Sequence, residues 1–275
     1  SFTYATTDGA SQVASNLEIT ITGTNDAPVL SADAGQVTAS PAATATGNVL
    51  ANDSDVDAGT VLTVATAGTM TGKYGELTLN PDGSYVYTVD AAKAQSLGRD
   101  AVAVEHFLYV ATDGTSKVAS TLDITVTGTN DAPIVTVDTG AVTEDGTLAA
   151  SGNVLANDSD VDAGTTLQVA APGTYAGNHG TLTLAQDGSY TYSLNNSGAG
   201  VQSLAQGQSV VDSFTYAATD GIAQVSSSLD ITITGTNDAP VVTADAAQVT
   251  ADVGASVSGN VLANDSDVDA GTVLT

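Results

Sequence analysis

The chain has no cysteine and no tryptophan, and only four basic residues stand against 31 acidic ones in 275 positions. Without cysteine, disulfides, thiol nucleophiles and thiolate metal sites are excluded, so any cross-link must be packing or an oxygen-bound metal. At a formal charge of −27, binding to nucleic acid or to an anionic membrane surface is disfavoured, and cations are the natural partners. No stretch approaches the roughly 18–20 apolar residues that a membrane helix needs, so no membrane insertion is expected. Residue 1 falls inside a patterned strand and not in a signal peptide, which reads as the interior of a longer chain.

Strong acidity often accompanies disorder, yet 42% of the residues are hydrophobic and they alternate in order instead of scattering. A folded chain follows. Its organisation comes from self-similarity. The segment GNVLANDSDVDAGT begins at Gly47, Gly152 and Gly259, at offsets of 105 and 107 residues. TNDAP begins at Thr24, Thr129 and Thr236; F-x-Y-x-x-T-D-G begins at Phe2, Phe107 and Phe214; DGSYxY begins at Asp82 and Asp187. Residues 1–26 are therefore the C-terminal part of a repeat, 27–131 and 132–238 are complete repeats, and 239–275 is the N-terminal part of another. Neither end piece holds enough chain for its own core, and both are expected to fray.

Wherever periodicity is clear it is 2. Leu122, Ile124 and Val126 face one way and Asp123, Thr125 and Thr127 the other, a half-buried strand. Leu182 and Leu184 lead to a turn at Asp187-Gly188, followed by inward Tyr190, Tyr192 and Leu194. Phe214, Tyr216 and Ala218 run to Asp220-Gly221, followed by Leu229, Ile231 and Ile233, a second hairpin. No segment keeps a helical period. About seven strands in roughly 105 residues has the rhythm of an immunoglobulin-like sandwich, so the fold class expected is all-β, with tandem sandwiches in a linear rod; a barrel is the alternative.

If the strands alternate in direction, with the first entering after Pro133 and the second running through Val154 and Leu155, the loop holding Asp158, Asp160 and Asp162 lies at the end where the linker arrives. The turns at Asp187 and Asp220 join it there. The linker residues Asn130 and Asp131 reach the same end, so linker and loop oxygens converge on an interdomain cation site. The matching sets are Asn25 and Asp26 with Asp53, Asp55 and Asp57, and Asn237 and Asp238 with Asp265, Asp267 and Asp269. From the opposite end of the second repeat, Glu144 and Asp145 are expected to face Asn237 and Asp238. In the first repeat those two positions are Ala39 and Ser40, so this contribution differs between junctions. Asp113 and Asp220 precede glycine, where a hairpin turn accounts for them and ligation is a second reading.

Calcium takes six to eight oxygen ligands at roughly 2.3–2.6 Å in irregular geometry, which alternate aspartates and linker carbonyls suit better than they suit octahedral magnesium. Two carboxylates about 4 Å apart repel by roughly 4 kcal/mol at an effective dielectric near 20, and a dication reverses the sign. The loop is not an EF-hand: counting from Asp53, glycine falls at the seventh place and Val64 at the twelfth. A solvated acidic turn is the competing reading; recurrence beside an Asn-Asp linker weakens it.

Together, GNVLANDSDVDAGT, DGSYxY, F-x-Y-x-x-T-D-G and TNDAP resemble the VCBS-type, cadherin-like repeats of large type I-secreted (RTX) bacterial adhesins, across essentially the whole chain. The resemblance implies extracellular extender modules on a bacterial cell surface, rigidified by calcium at their junctions, that project a distal ligand-binding region for adhesion or biofilm formation. It carries the linker and loop ligands onto Asn130, Asp131, Asp158, Asp160 and Asp162 and the matching sets. One to three ions per junction are implied, with neighbouring repeats of a monomeric rod as the other partners. An affinity of about 0.1–1 mM is expected, as for other extracellular modules.

Repeats that themselves grip glycan are the alternative; they would need exposed aromatics, and most tyrosines fall on inward positions. An enzyme is not expected: His106 and His179 lie at non-equivalent places in their repeats and read as structural. Acidic pairs alone give no cleft for glycoside hydrolysis.

Overall fold

The computed structural model describes all residues, 1–275, and is almost wholly β. The chain divides into two compact units, one of Ser1–Ala94 with Val102–Thr127 and the other of Gln95–Ala101 with Gly128–Thr275. The first unit contains β1 (Phe2–Thr7), β2 (Gln12–Leu17), β3 (Asp33–Thr38), β4 (Thr44–Asn48), β5 (Thr63–Val64), β6 (Gly68–Thr71), β7 (Gly75–Leu79), β8 (Ser84–Val89), the single-turn α1 (Ala91–Ala94), β9 (Val102–Thr112) and β10 (Lys117–Thr127). The second contains β11 (Asp138–Thr143), β12 (Ala149–Asn153), β13 (Gln168–Val169), β14 (Gly173–Ala176), β15 (Gly180–Leu184), β16 (Ser189–Leu194), α2 (Ala199–Gln202), β17 (Ser209–Thr219) and β18 (Gln224–Thr234).

In the second unit, two four-stranded sheets run β11-β18-β17-β13 and β12-β16-β15-β14. The first unit repeats this as β3-β10-β9-β5 and β4-β8-β7-β6. β11 lies parallel to β18, and β17 and β18 form an eleven-residue antiparallel hairpin. Both hairpins read from the sequence are present, and their inward residues Leu182, Leu184, Tyr190, Tyr192, Leu194, Phe214, Tyr216, Ala218, Leu229, Ile231 and Ile233 form the core with Val142, Val154 and Val169. This is the face-to-face sandwich that period-2 alternation dictates.

The expected count of about seven strands holds: eight are present in each repeat, of which β13 and β14 (like β5 and β6) are short pieces with little periodicity to announce them. One expectation changes. Val154 and Leu155 are not in a strand: β12 ends at Asn153, whose Oδ1 accepts from the Leu155 amide at 2.8 Å and whose Nδ2 donates to the Asp187 carbonyl at 2.8 Å. That side chain competes with the ladder for the backbone and turns the chain. Val154 stays buried, its amide donating to the Gly188 carbonyl at 2.9 Å.

Glycine makes room for tyrosine. A Cβ on Gly152 would fall 2.8 Å from the Tyr190 ring, and one on Gly140 3.1 Å from its hydroxyl. Tyr85 lies in the same way over Gly35 and Gly47. The residues outside the two complete sandwiches are sparser in contacts: β1 and β2 pair only with each other and are exposed throughout, and 239–275 contributes the Val241–Ser266 bridge but no strand.

Candidate functional site

The three aspartates of each DSDVD loop do three different things. The first belongs to its own sandwich. Asp158 accepts from the Thr136 amide at 2.8 Å and lies 3.4 Å from the Tyr216 hydroxyl, which also donates to Asp138 at 2.8 Å. Asp53 stands likewise against Ser31 and Tyr109, and Asp265 against Thr243. The second folds the loop: Asp160 Oδ1 accepts from the Asp162 amide at 2.8 Å, as Asp55 does from Asp57 and Asp267 from Asp269. The third reaches the linker: Asp162 Oδ2 accepts from the Asp131 amide at 3.0 Å, with Asp57 on Asp26 at 2.9 Å and Asp269 on Asp238 at 3.0 Å.

The linker asparagines lock the other side of the turn. Asn130 Nδ2 donates to the Asp131 carbonyl at 2.6 Å and to Asp220 Oδ2 at 2.8 Å, and Asn25 does the same with Asp26 and Asp113. Asn237 makes the first of these bonds, to the Asp238 carbonyl at 2.6 Å. Asp220 Oδ1 meanwhile accepts from the Ile222 and Ala223 amides, and Asp113 Oδ1 from Thr115 and Ser116. Both carboxylates are thereby occupied as turn caps. The asparagine bond is the chief reason Asp113 is held below the usual carboxylate range; at Asp220 burial pushes upward, and the Asn130 and backbone bonds outweigh it.

What the hydrogen bonds leave over defines the candidate site. Asp55 Oδ2, Asp160 Oδ2, Asp162 Oδ1, Asp238 Oδ2 and Asp269 Oδ1 are buried oxygens with no donor. Asp162 is 6% exposed and Asp269 5%. Buried carboxylate oxygens in folded proteins are otherwise paired, since an unpaired one costs more than a lost hydrogen bond. Burial pushes the Asp162 carboxyl up, and the charges of Asp160, Asp131 and Asp220 push it further. No three Asp, Glu or His side chains are gathered into a ready-made metal cluster. The donor set is one of loop and linker carboxylates with carbonyls, all hard oxygen, which fits a calcium-like ion and no softer metal.

At the far end of the second sandwich, the sequence-predicted Glu144 joins the next linker. Glu144 is fully buried; its Oε2 accepts from the Thr236 amide at 3.1 Å and its Oε1 from Gln202 Nε2 at 3.0 Å. Its carboxyl is raised by burial first, then by Asp238, Asp145 and Asp269. Asp238 is raised likewise by desolvation and by Asp145, Asp269 and Asp267. Asp145 itself is exposed and bonded to Asn196 Nδ2 at 2.6 Å.

Sequence reasoning missed a second kind of carboxylate. Asp212, 1% exposed, accepts from the His179 amide at 3.0 Å, His179 Nδ1 at 2.8 Å and the Tyr192 hydroxyl at 2.8 Å. Glu105 takes the same place in the first sandwich, with the Tyr74 amide at 2.9 Å and the Tyr87 hydroxyl. The signal was there: Glu105 shares the inward phase of Phe107, Tyr109 and Ala111. His106, read as structural, is exposed and bonded to Asp123 at 2.7 Å.

Comparison with known proteins places the fold. No curated protein matches the chain. Among solved structures, the protocadherin gamma B4 extracellular domain matches at 18% identity with a TM-score of 0.51, over 85% of this chain and 36% of that one. Human protocadherin-24 EC1-2 (form II) matches at 16% identity and a TM-score of 0.48, over 78% of this chain and all of that one. The endo-fucoidan hydrolase MfFcnA4 of glycoside hydrolase family 107 gives 19% identity and a TM-score of only 0.30, and the chain spans about a third of its length, 34%. The family model for the bacterial cadherin-like domain matches residues 25–128 and again 130–235. These two matches take in most of the chain, and the protein belongs to the bacterial cadherin-like domain family.

Proposed function

We propose that these repeats are calcium-stiffened spacers of an extracellular bacterial adhesin, holding a distal ligand-binding region away from the cell surface. The observation that carries this reading is the set of buried, donor-less oxygens on Asp55, Asp160, Asp162, Asp238 and Asp269, all in the linker-facing loops or the linker itself. A dication there removes the repulsion and supplies what the oxygens lack. Asn130, Asp131, Asp160 and Asp162 would hold one such ion, and Asp238, Asp267, Asp269 and Glu144 another. Asp53, Asp158 and Asp265 act behind them by fixing the loop to its own sandwich. A bound ion ties linker to loop and removes the freedom of the junction, so that successive sandwiches behave as a rod.

The role is structural, in keeping with the cadherin-like fold. Direct glycan gripping is the weaker alternative, because Tyr74, Tyr85, Tyr87, Tyr109, Tyr190, Tyr192 and Tyr216 are all buried. The test is small-angle X-ray scattering of the chain in millimolar calcium, in magnesium and in chelator. A longer, stiffer profile only in calcium is expected; a profile indifferent to all three would refute calcium stiffening and leave a passive acidic spacer.

A further inference from the structure

We infer that Asn195 is an acceptor for asparagine-linked glycosylation, taking its sugar from a glycosyl diphosphate, either nucleotide-linked or lipid-linked. The site needs no bound cation and is independent of the calcium reading.

The sequence holds four Asn-x-Ser triplets, at Asn52, Asn157, Asn195 and Asn264. Such a triplet serves as an acceptor on an exposed loop, where a transferase can reach the side-chain amide. Three of the four are one recurring element, the start of each DSDVD loop. The fourth occurs once. The Asn195 amide donates to the His179 carbonyl at 2.8 Å as the Asp90 amide donates to Tyr74 at 2.9 Å, so Asp90 is its counterpart in the first sandwich. There the carboxylate caps the Ala92 amide at 3.1 Å and pairs with Lys93 at 3.4 Å. The second sandwich has Asn195-Asn196-Ser197-Gly198 instead, between β16 and α2.

These four residues form a turn closed by the Gly198 amide on the Asn195 carbonyl at 2.9 Å, with Asn195 and Ser197 exposed. Ser197 Oγ donates to Asn195 Oδ1 at 3.2 Å, while Asn195 Nδ2 has no protein acceptor. Glycine at 198 keeps that nitrogen uncovered, since a Cβ there would fall 3.3 Å from it. Asn196 fixes the turn to the sandwich: its Oδ1 accepts from the Asp145 amide at 3.0 Å and its Nδ2 donates to Asp145 Oδ1 at 2.6 Å. The reacting nitrogen is therefore free on a held turn.

An amide nitrogen is a poor nucleophile because its lone pair is delocalised into the carbonyl. In the transfer, a base of the transferase takes one Nδ2 proton and Nδ2 bonds to the anomeric carbon of the sugar. The bond from that carbon to the diphosphate oxygen breaks, and its electron pair leaves on the diphosphate. Nothing is oxidised or reduced. The Ser197 hydroxyl, already aimed at Oδ1, stabilises the negative charge that gathers on that oxygen as the proton departs.

The recurring triplets lack this arrangement. Nδ2 of Asn52, Asn157 and Asn264 is directed at the Ala32, Val137 and Thr243 carbonyls at 3.4, 3.5 and 3.4 Å. Their serines are drawn into a bridge, the Ser54, Ser159 and Ser266 amides donating to Val29, Ile134 and Val241 at 3.1, 3.0 and 3.0 Å. The middle residue is Asp53, Asp158 or Asp265, and a further aspartate follows the serine, so an anionic donor meets two carboxylates. Freeing Nδ2 from its carbonyl lowers the rate roughly fivefold, equivalent to about 1 kcal/mol.

The test treats the folded 275-residue chain in two arms: UDP-glucose with a soluble asparagine glucosyltransferase, and a lipid-linked oligosaccharide with an oligosaccharyltransferase that reads the bare triplet. Chymotryptic peptides are then mapped by mass spectrometry. The Asn195 peptide should gain a sugar in at least one arm, roughly fivefold or more faster than the Asn52 and Asn157 peptides, and the arm that succeeds identifies the donor. Ser197→Ala should abolish the transfer and Ser197→Thr should retain it, with circular dichroism confirming the fold of both. An Asn195 unmodified in both arms, equal modification of Asn52 and Asn157, or a Ser197→Ala chain modified as fast as the native one overturns the assignment.

Discussion

If the proposed calcium site holds, Asp162→Asn should have opposite effects with and without calcium, and the sign change tests the physics directly. Asn keeps an oxygen for the Asp131 amide, which now bonds Asp162 Oδ2 at 3.0 Å, so the linker bond survives. What disappears is a 94%-buried charge facing Asp160, Asp131 and Asp220. Like charges about 8 Å apart repel by roughly 2 kcal/mol at an effective dielectric near 20, and salt screening at the loop edge reduces that to about 1 kcal/mol. In chelator the variant should therefore be more stable, by an amount that raises Tm by roughly 4–8 °C for a sandwich of this size. At 100-fold excess over Kd, calcium adds about 2.7 kcal/mol to the native protein, and the variant, with a weakened site, should gain less than about 1 kcal/mol. The stability order then inverts. Thermal melts followed by circular dichroism at both calcium levels measure this. A variant destabilised equally in both conditions would show that Asp162 is a fold element with no part in cation binding.

Asp212 should govern acid stability of the second sandwich. Burial pushes its carboxyl up, but bonds from the His179 ring, the His179 amide and Tyr192 hold it net below the usual range. A depressed folded value contributes stability above the unfolded pKa of about 3.9, which is lost as pH falls through the folded value. Asp212→Asn should cost about 2–4 kcal/mol at pH 7, with the gap to the native protein closing below about pH 4 in melts recorded across that range. Tyr216→Phe should lose about 1–2 kcal/mol in urea unfolding, because the one hydroxyl proton within reach of Asp138 and the Val154 carbonyl is removed and Asp138 is left facing Asp158. Gly180→Ala should lose about 1–3 kcal/mol, since its Cβ would meet the Tyr192 ring at 2.4 Å and the Ser193 carbonyl at 2.5 Å.

The long hairpins were legible because alternation and turn chemistry agree there: Asp220-Gly221 has its glycine at φ 93°, and the inward series on both sides is apolar. The convergence of the Asp131 linker, the DSDVD loop and the Asp220 turn followed from strand direction alone. The short strands β13 and β14 were not legible, since two to four residues show no period. Nor was the division of tasks within DSDVD. Three aspartates spaced by two look equivalent in sequence, and only the contacts separate Asp158, bonded to Thr136 and Tyr216, from Asp162, bonded to the linker. Asp212 was not legible for a related reason: a single acidic residue in the inward phase of a strand carries no sign of the histidine and tyrosine that satisfy it.

That division also bears on where the proposed calcium would act. Carboxylates inside the sandwiches are satisfied by protein donors alone: Asp212 by His179 and Tyr192, Glu105 by Tyr74 and Tyr87, Asp138 by Tyr216. Their hydrogen bonds need no ion, so the sandwiches are built to fold without one. The unsatisfied oxygens are confined to the linker and to the second and third aspartates of each loop. If calcium were a folding cofactor, as structural zinc is in a finger domain, the orphaned oxygens would lie among core residues. On the proposed calcium reading, their restriction to the linker-facing loops assigns the cation to the junction and not to the domain. Chelation should accordingly leave the β-sheet circular dichroism of the two complete sandwiches intact while raising proteolytic cleavage at residues 128–133; loss of the sheet signal on chelation would refute this separation of roles.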